Sequence, residues 1–427
     1  MIGLPVSMRR AVFSLFSGQV LAQALPFAAS PLIARLFTPG QFAVYGAVMT
    51  VFGFFSVVAA GRYELAVVLP ASDRDAASLV RGASLIAVLV GALAFGALWA
   101  WGAHPVVAAK LPGLRDSAWV VAALTTLAGV QVLLQQWMLR HERFRSVAGL
   151  KVVQAAGITL ATIALGWAGV AQGLQIGYLI GWACFLAGTA WFVLVRQPLA
   201  PASGDIGRVL REYRAWPLVN AWPALISTAA TGMATFLVTM YQSAEVIGQH
   251  NFARQYVLVP LSMVAMAVGQ VLFVRSAQRV REGAPLLPEL LPVLRILIAV
   301  AVAVVLLVTT CGAFLFTTVF GERWAMAGEF STVLVIGYAM QLVGMPFGVV
   351  LIALRKVPAT LIFPLCFAGL LAFVPLFAHW EPMPFMGVLS AVEVIAYAVQ
   401  AAVVFLFVRR YDRSIAARCA RCSRTIR

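Results

Sequence analysis

Charge is scarce in this 427-residue chain: only 11% of its residues are Asp, Glu, Lys or Arg, with 15 carboxylates and 4 histidines in all. Soluble domains carry about 25% charged residues, so an ordinary soluble enzyme is excluded. The four histidines, His104, His141, His250 and His379, are read as loop residues without metal-ligand spacing. No metal ligand and no catalytic residue is therefore assigned. Cysteine is equally sparse. Cys184, Cys311 and Cys366 fall in apolar stretches, and Cys419 and Cys422 form one CxxC with no second ligand pair, which argues against a zinc or redox centre. Lysine is almost missing: Lys110, Lys151 and Lys356 are the only three among 31 basic residues, an Arg-rich and Ala-rich usage that fits a GC-rich bacterial genome.

What is present is apolar surface. Apolar residues make up 62% of the chain, and mean hydropathy is +0.95. At about 20 residues per transmembrane helix, apolar stretches fall at roughly 11–33, 42–61, 82–101, 118–139, 148–170, 174–195, 217–240, 253–273, 293–316, 328–352, 359–378 and 386–408. The remainder divides into short loops, which leaves no room for a soluble catalytic or nucleic-acid-binding domain. The expected fold is an all-α polytopic membrane protein of about 12 transmembrane helices. Met8-Arg9-Arg10 resembles an export signal, but the first apolar stretch runs on past Pro26 and Pro31 and is expected to stay as a span.

The formal charge of +16 acquires meaning when sorted by loop. With the amino terminus inside, 26 basic residues face inward and 5 outward, the latter being Arg35, Lys110, Arg115, Arg254 and Arg323. Nine carboxylates face in and five out, and Glu393 alone lies within a span. This is the positive-inside pattern, and it predicts an inner-membrane protein with both termini cytoplasmic. Because the arginines are dispersed over membrane-bound segments, nucleic acid is not an expected partner.

The longest polar internal stretch, from Arg196 to Arg214, contains Pro198, Pro201, Ser203 and Gly204 and then three arginines. It reads as a linker ending in a short amphipathic helix. The chain then divides into an amino-terminal six-helix lobe (1–195), a cytoplasmic linker (196–216), a carboxy-terminal six-helix lobe (217–408) and a basic cytoplasmic tail (409–427). Two equal lobes around a central cavity are what a transporter built from two parallel repeats would show.

Several segments resemble a known family. Ser17-Gly18-Gln19, the run Pro31-Leu32-Ile33-Ala34-Arg35-Leu36-Phe37-Thr38-Pro39-Gly40-Gln41-Phe42, and Arg62-Tyr63-Glu64-Leu65-Ala66-Val67-Val68-Leu69-Pro70 are similar to the amino-terminal half of Wzx-type O-antigen and exopolysaccharide flippases. These are the polysaccharide transporters of the multidrug/oligosaccharidyl-lipid/polysaccharide flippase superfamily. Tyr213-Arg214-Ala215-Trp216-Pro217-Leu218, Pro260-Leu261-Ser262 and Gly269-Gln270-Val271-Leu272-Phe273 look like the matching carboxy-terminal segments. The chain departs from the family at Ala43, where glycine is common, and at Gln249-His250, which replace an aromatic. The resemblance implies a non-enzymatic flippase that moves lipid-linked oligosaccharide for surface polysaccharide or lipopolysaccharide assembly, with membrane lipids and other assembly proteins as partners. It implies no cofactor beyond coupling to a proton or sodium gradient.

A substrate of that kind needs cations for its diphosphate and amides for its sugars. Arginine holds two phosphate oxygens at once and stays charged when desolvated. Arg62, Arg35 and Arg254 are the candidates, each beside a span; the competing reading of Arg62 is an interface anchor paired with Glu64 or a lipid phosphate. Gln19 and Gln23, and Gln131 and Gln135, are i, i+4 pairs that each project on one helix face, either lining a sugar path or tying helices together. Glu393 is the candidate ion-coupling group, with Tyr397 and Gln400 near it in sequence. The rival functions are a drug/cation antiporter, which would want more intramembrane carboxylates, and a glycan polymerase or acyltransferase, which would want a larger outer loop.

Overall fold

A computed structural model describes the backbone of residues 6–201 and 205–425 and, within these, the side chains of residues 21–356 and 358–417. Its regular elements are all helical among the described residues. The first half comprises α1 (Val6–Leu36), α2 (Pro39–Ser56), α3 (Asp73–Ala103), a short α4 (Pro105–Lys110), α5 (Ala118–Arg140), α6 (Phe144–Trp167) and α7 (Gly173–Arg196). After a short α8 (Ile206–Glu212) come α9 (Ala215–Tyr241) and α10 (Ala244–Ala253), which runs through a π-helical turn, Arg254–Leu258, into α11 (Val259–Glu282). The chain closes with α12 (Leu287–Phe320), α13 (Ala325–Gly344), α14 (Gly348–Ala353), α15 (Ile362–Leu371) and α16 (Pro382–Thr425).

Each of the twelve expected stretches overlaps a helix. Ten helical stretches are long and apolar enough to cross a membrane, and Leu21–Leu36 is a shorter apolar one. The protein is a multi-span membrane protein. α2 has 18 residues, about 27 Å at 1.5 Å per residue, a little short of the ~30 Å hydrocarbon core.

Local chemistry explains the punctuation. Thr38-Pro39-Gly40-Gln41 starts α2 with a capping box: Gln41 Oε1 accepts the Thr38 N–H at 2.8 Å, and Thr38 Oγ1 accepts the Gln41 N–H at 3.4 Å. Pro39 sits where its missing N–H is not needed. Inside α1, Pro31 cannot bond the carbonyl of Phe27; the Ser30 hydroxyl donates to that oxygen instead, at 2.6 Å. Gly283, at φ 65°, ends α11 in the left-handed region that a side chain would resist.

By packing, the chain forms two compact units, Met1–Gly248 and Gln249–Arg427. In the first, α1 packs on α6, α6 on α7, α3 on α5 and α2 on α9. The α6–α7 approach depends on Gly181, where a Cβ would come within 2.7 Å of the Ile158 backbone nitrogen. The expected linker does not run free. Trp137 Nε1 donates to Gln197 O at 3.1 Å, an Arg81 Nη donates to Ala200 O at 2.9 Å, and Tyr63 Oη donates to Leu210 O at 3.0 Å. Arg208 then pairs with Asp75 of α3 at 3.3 Å. The linker is thereby fastened to the first unit, and α9 packs with that unit as well.

In the second unit α12 packs on α13, α13 on α16 and α11 on α14. Phe252 stacks on Trp324 with centroids 3.7 Å apart, and Phe316 and Phe320 meet it edge-on. Asp412 reaches from α16 to the start of α12, where its two oxygens accept the Leu286 and Leu287 N–H groups at 2.8 and 3.0 Å. The residues expected as a tail continue α16 as helix to Thr425. The side chains of Cys419 and Cys422 lie outside the described residues.

One expectation about position is corrected: His250, read as a loop residue, sits in the helix Ala244–Ala253, which continues through Arg254, the residue expected beside a span, as one helical stretch to Glu282. The cause is Gln249-His250-Asn251, which read as polar punctuation. Gln249 instead spends its amide on buried backbone, donating to Arg323 O at 2.7 Å and accepting the Ala327 N–H at 3.1 Å.

Candidate functional site

In the first unit, the chain between α2 and α3 turns sharply. Gly61 and Arg62 both take left-handed backbone, at φ 60° and 61°, and a short 3₁₀ turn, Tyr63–Leu65, follows. Such a conformation at arginine is strained, and it persists because the surroundings hold it. Tyr63, Ala66 and Val67 are buried among Ala76, Leu79 and Trp137. The turn delivers Arg62 with a quarter of its side chain exposed, while Glu64 is nearly buried. Arg62 Nη1 meets Glu64 Oε1 at 3.4 Å and Val57 O at 3.5 Å. Arg62 Nε donates to no described residue, and Glu64 Oε2 accepts from none. Burial pushes the Glu64 carboxyl above the usual carboxylate range, against the opposing pull of a hydrogen bond to its own backbone and of the Arg62 charge.

In the second unit, polar groups gather on the α13–α16 contact. Ser390 Oγ inserts between two consecutive turns of α13, accepting the Gly337 N–H at 3.1 Å and donating to Val333 O at 2.9 Å. Gly337, Gly344 and Gly348 lie against Glu393, Tyr397 and Gln400 respectively; a Cβ at Gly337 would stand 2.5 Å from Glu393 Oε2. Glu393 Oε2 and Gln400 Oε1 are buried and accept no hydrogen bond from a described residue. The charge of Arg254, carried on the π-helical turn, acts on Glu393, Tyr338 and Tyr397. Beside this, Gln341 Nε2 donates to Ser262 Oγ at 2.9 Å, and Ser262 donates to Leu258 O, also at 2.9 Å. Inserted π-turns of this kind are frequent where helices carry function.

The other sequence candidates are dispersed. Arg35 is exposed in the last turn of α1, where a cation is favoured by the helix dipole. Gln23 is exposed on α1, and the side chain of Gln19 lies outside the described residues. Gln131 is buried and donates to Thr189 Oγ1 of α7 at 2.9 Å, so it ties two helices together. Gln135, one turn later, is half-buried. Among the described residues no group of His, Cys, Asp and Glu is arranged to hold a metal ion.

Comparison with known proteins adds the family. A model described as "Polysaccharide biosynthesis protein" matches residues 32–329, most of the chain. This chain belongs to that family. No curated protein matches it by sequence. Among solved structures it is similar to the lipid II flippase MurJ in an inward closed conformation, at 14% identity and TM-score 0.73, covering 94% of this chain and 90% of that one. It is also similar to an inward-facing multidrug resistance MATE family transporter of the MOP superfamily, at 13% identity and TM-score 0.66, covering 92% and 99%. A MOP superfamily transporter from Pyrococcus furiosus aligns at 14% identity and TM-score 0.58, covering 96% of each chain. At such identities the likeness establishes the fold.

For this polysaccharide biosynthesis protein, sequence reasoning overlooked Tyr338, Gln341, Ser262 and Ser390. A signal for the contact was present: glycines at 337, 344 and 348 and polar residues at 393, 397 and 400 each recur at helix-face spacing. Only packing reveals that the two faces meet.

Proposed function

We propose that the protein is a flippase that translocates polyprenyl-diphosphate-linked oligosaccharide units across the bacterial inner membrane, for assembly of O-antigen, lipopolysaccharide or exopolysaccharide. The observation that carries this reading is the family match over residues 32–329 on a chain that holds an arginine, Arg62, partly exposed in the turn between two apolar helices with donor capacity to spare. Its fork suits a diphosphate. Arg254 and Arg35 are the further cations, and the glutamines at 19, 23 and 135 the amide groups for sugar. Movement is by alternating access of the two lobes, and Glu393 is the group that couples it to a proton or sodium gradient. The inward excess of arginine supports cytoplasmic termini.

The deciding experiment is transport of radiolabelled lipid-linked oligosaccharide in proteoliposomes. Protein-dependent appearance of label on the far leaflet is expected. A deletion strain should lose surface glycan and accumulate lipid-linked units inside; normal surface glycan without a paralogue would overturn the proposal. Likeness to the MATE transporter favours a second reading, a drug/cation antiporter. Transport of an organic cation but not of the glycolipid would select it.

A further inference from the structure

The pair at the α2–α3 turn is built unlike a permanent structural salt bridge. A settled arginine–carboxylate pair uses both oxygens and two nitrogens at about 2.7–2.9 Å. Here one contact of 3.4 Å joins Arg62 to Glu64, while Arg62 Nε and Glu64 Oε2 go unused in a buried setting. Among the described residues, Arg62 is the charged group whose field acts on Glu64. On α3 and α5, Asp73 is paired with Arg140 at 2.9 Å and lies 3.6 Å from His141. Asp75 is taken up by Arg208 of α8, which also pairs with Glu212. α9, which also packs on the turn, carries no charged side chain from Ala215 to Tyr241. The Tyr63 hydroxyl is engaged with Leu210 O. Glu64 therefore has, besides a hydrogen bond to its own backbone, one charged partner among the described residues, held loosely on a backbone turn whose left-handed geometry fixes where that partner points.

We propose that Glu64 is a resident counter-anion of Arg62 that the substrate's diphosphate displaces, and that the displaced carboxylate takes up one proton from the aqueous side. This rests on the reading of Arg62 as a diphosphate ligand. The balance is simple. The diphosphate replaces the carboxylate at the guanidinium, and one proton from water joins a Glu64 oxygen to give the neutral acid. Burial already disfavours the ionised carboxyl, and loss of Arg62 disfavours it further, so ligand binding and proton uptake are linked in the same direction. The empty site keeps Arg62 neutralised without locking it in an ideal pair, and the loaded site gains one proton.

The test is calorimetric titration of the full-length protein in lipid nanodiscs with inorganic pyrophosphate, in two buffers of different protonation enthalpy, between about pH 6 and 8. The pyrophosphate's own titration is common to every variant and cancels in comparison. Wild type should take up more protons per pyrophosphate than Glu64→Gln. That variant should bind more tightly at neutral pH, on the order of fivefold, the upper end for a partly exposed pair. Glu64→Asp, which keeps a carboxylate, should retain the proton uptake. If Glu64→Gln misfolds, the Glu64→Asp measurement and the wild-type pH dependence still decide. Wild-type affinity together with wild-type proton uptake in Glu64→Gln would overturn the counter-anion role. Arg62→Gln should abolish binding; if it binds like wild type, the reading of Arg62 itself fails. Loss of binding in Arg62→Gln beside a silent Glu64→Gln removes the counter-anion and leaves the flippase proposal standing.

Discussion

Glu64 shows how one residue can be placed at a cost. A carboxyl whose pKa is higher in the folded than in the unfolded chain binds more protons when folded, so stability falls as pH rises from the unfolded value, about 4, toward the folded one. Glu64→Gln should accordingly melt at a higher temperature than wild type at pH 7, with the gap closing near pH 4; a thermal-shift series across pH in detergent measures this. Gly337 is the opposite case, a residue whose smallness is required. Because a Cβ there would stand 2.5 Å from Glu393 Oε2, Gly337→Val should destabilise the α13–α16 contact by about 1–3 kcal/mol, seen as lower yield of monodisperse protein. Gln131 separates two roles. The bond to Thr189 makes it a helix tie worth less than about 2 kcal/mol, so Gln131→Leu should shift the melting temperature slightly and leave transport unchanged. A transport defect without a stability change would restore it to the sugar path.

At the level of elements, what stands out is how helices borrow termini and ladders from one another. Asp412 caps α12 from the far end of another helix, so Asp412→Ala should cost about 0.5–2 kcal/mol and raise hydrogen exchange at the Leu286 and Leu287 amides. Tyr63 ties the turn after α2 to α8; Tyr63→Phe should increase exchange across Ile206–Glu212 without altering the rest of the first unit. Element boundaries were readable where caps are local, as in Thr38-Pro39-Gly40-Gln41. They were misread at Gln249-His250-Asn251, since the Gln249 amide is satisfied by the Arg323 carbonyl and the Ala327 N–H, more than seventy residues away in sequence. The stretch after Arg196 ends in the short helix α8, and carbonyls of Gln197, Ala200 and Leu210 are held by Trp137, Arg81 and Tyr63, contacts that composition does not reveal.

For the whole molecule, the inward bias of arginine makes a topological prediction. Alkaline phosphatase fused after Gly113 should be active, and fused after Arg355 inactive, in a bacterial host. The reverse pattern would invert every assignment of loops to sides. The all-helical, apolar character of the chain follows from the sequence by itself, since lipid demands long apolar helices whatever they pack against, and loop charge supplies the expected orientation. The family, too, was readable, because its segments are contiguous. The tertiary structure decided which side chains meet. That Arg62 faces Glu64 depends on two left-handed residues in succession, and that Gly337 faces Glu393 depends on two helices approaching closely after some fifty intervening residues. Periodicity fixes the face a residue occupies on its own helix, but the neighbour across that face is chosen by packing, and in a site made of a few arginines and carboxylates the neighbour determines the chemistry.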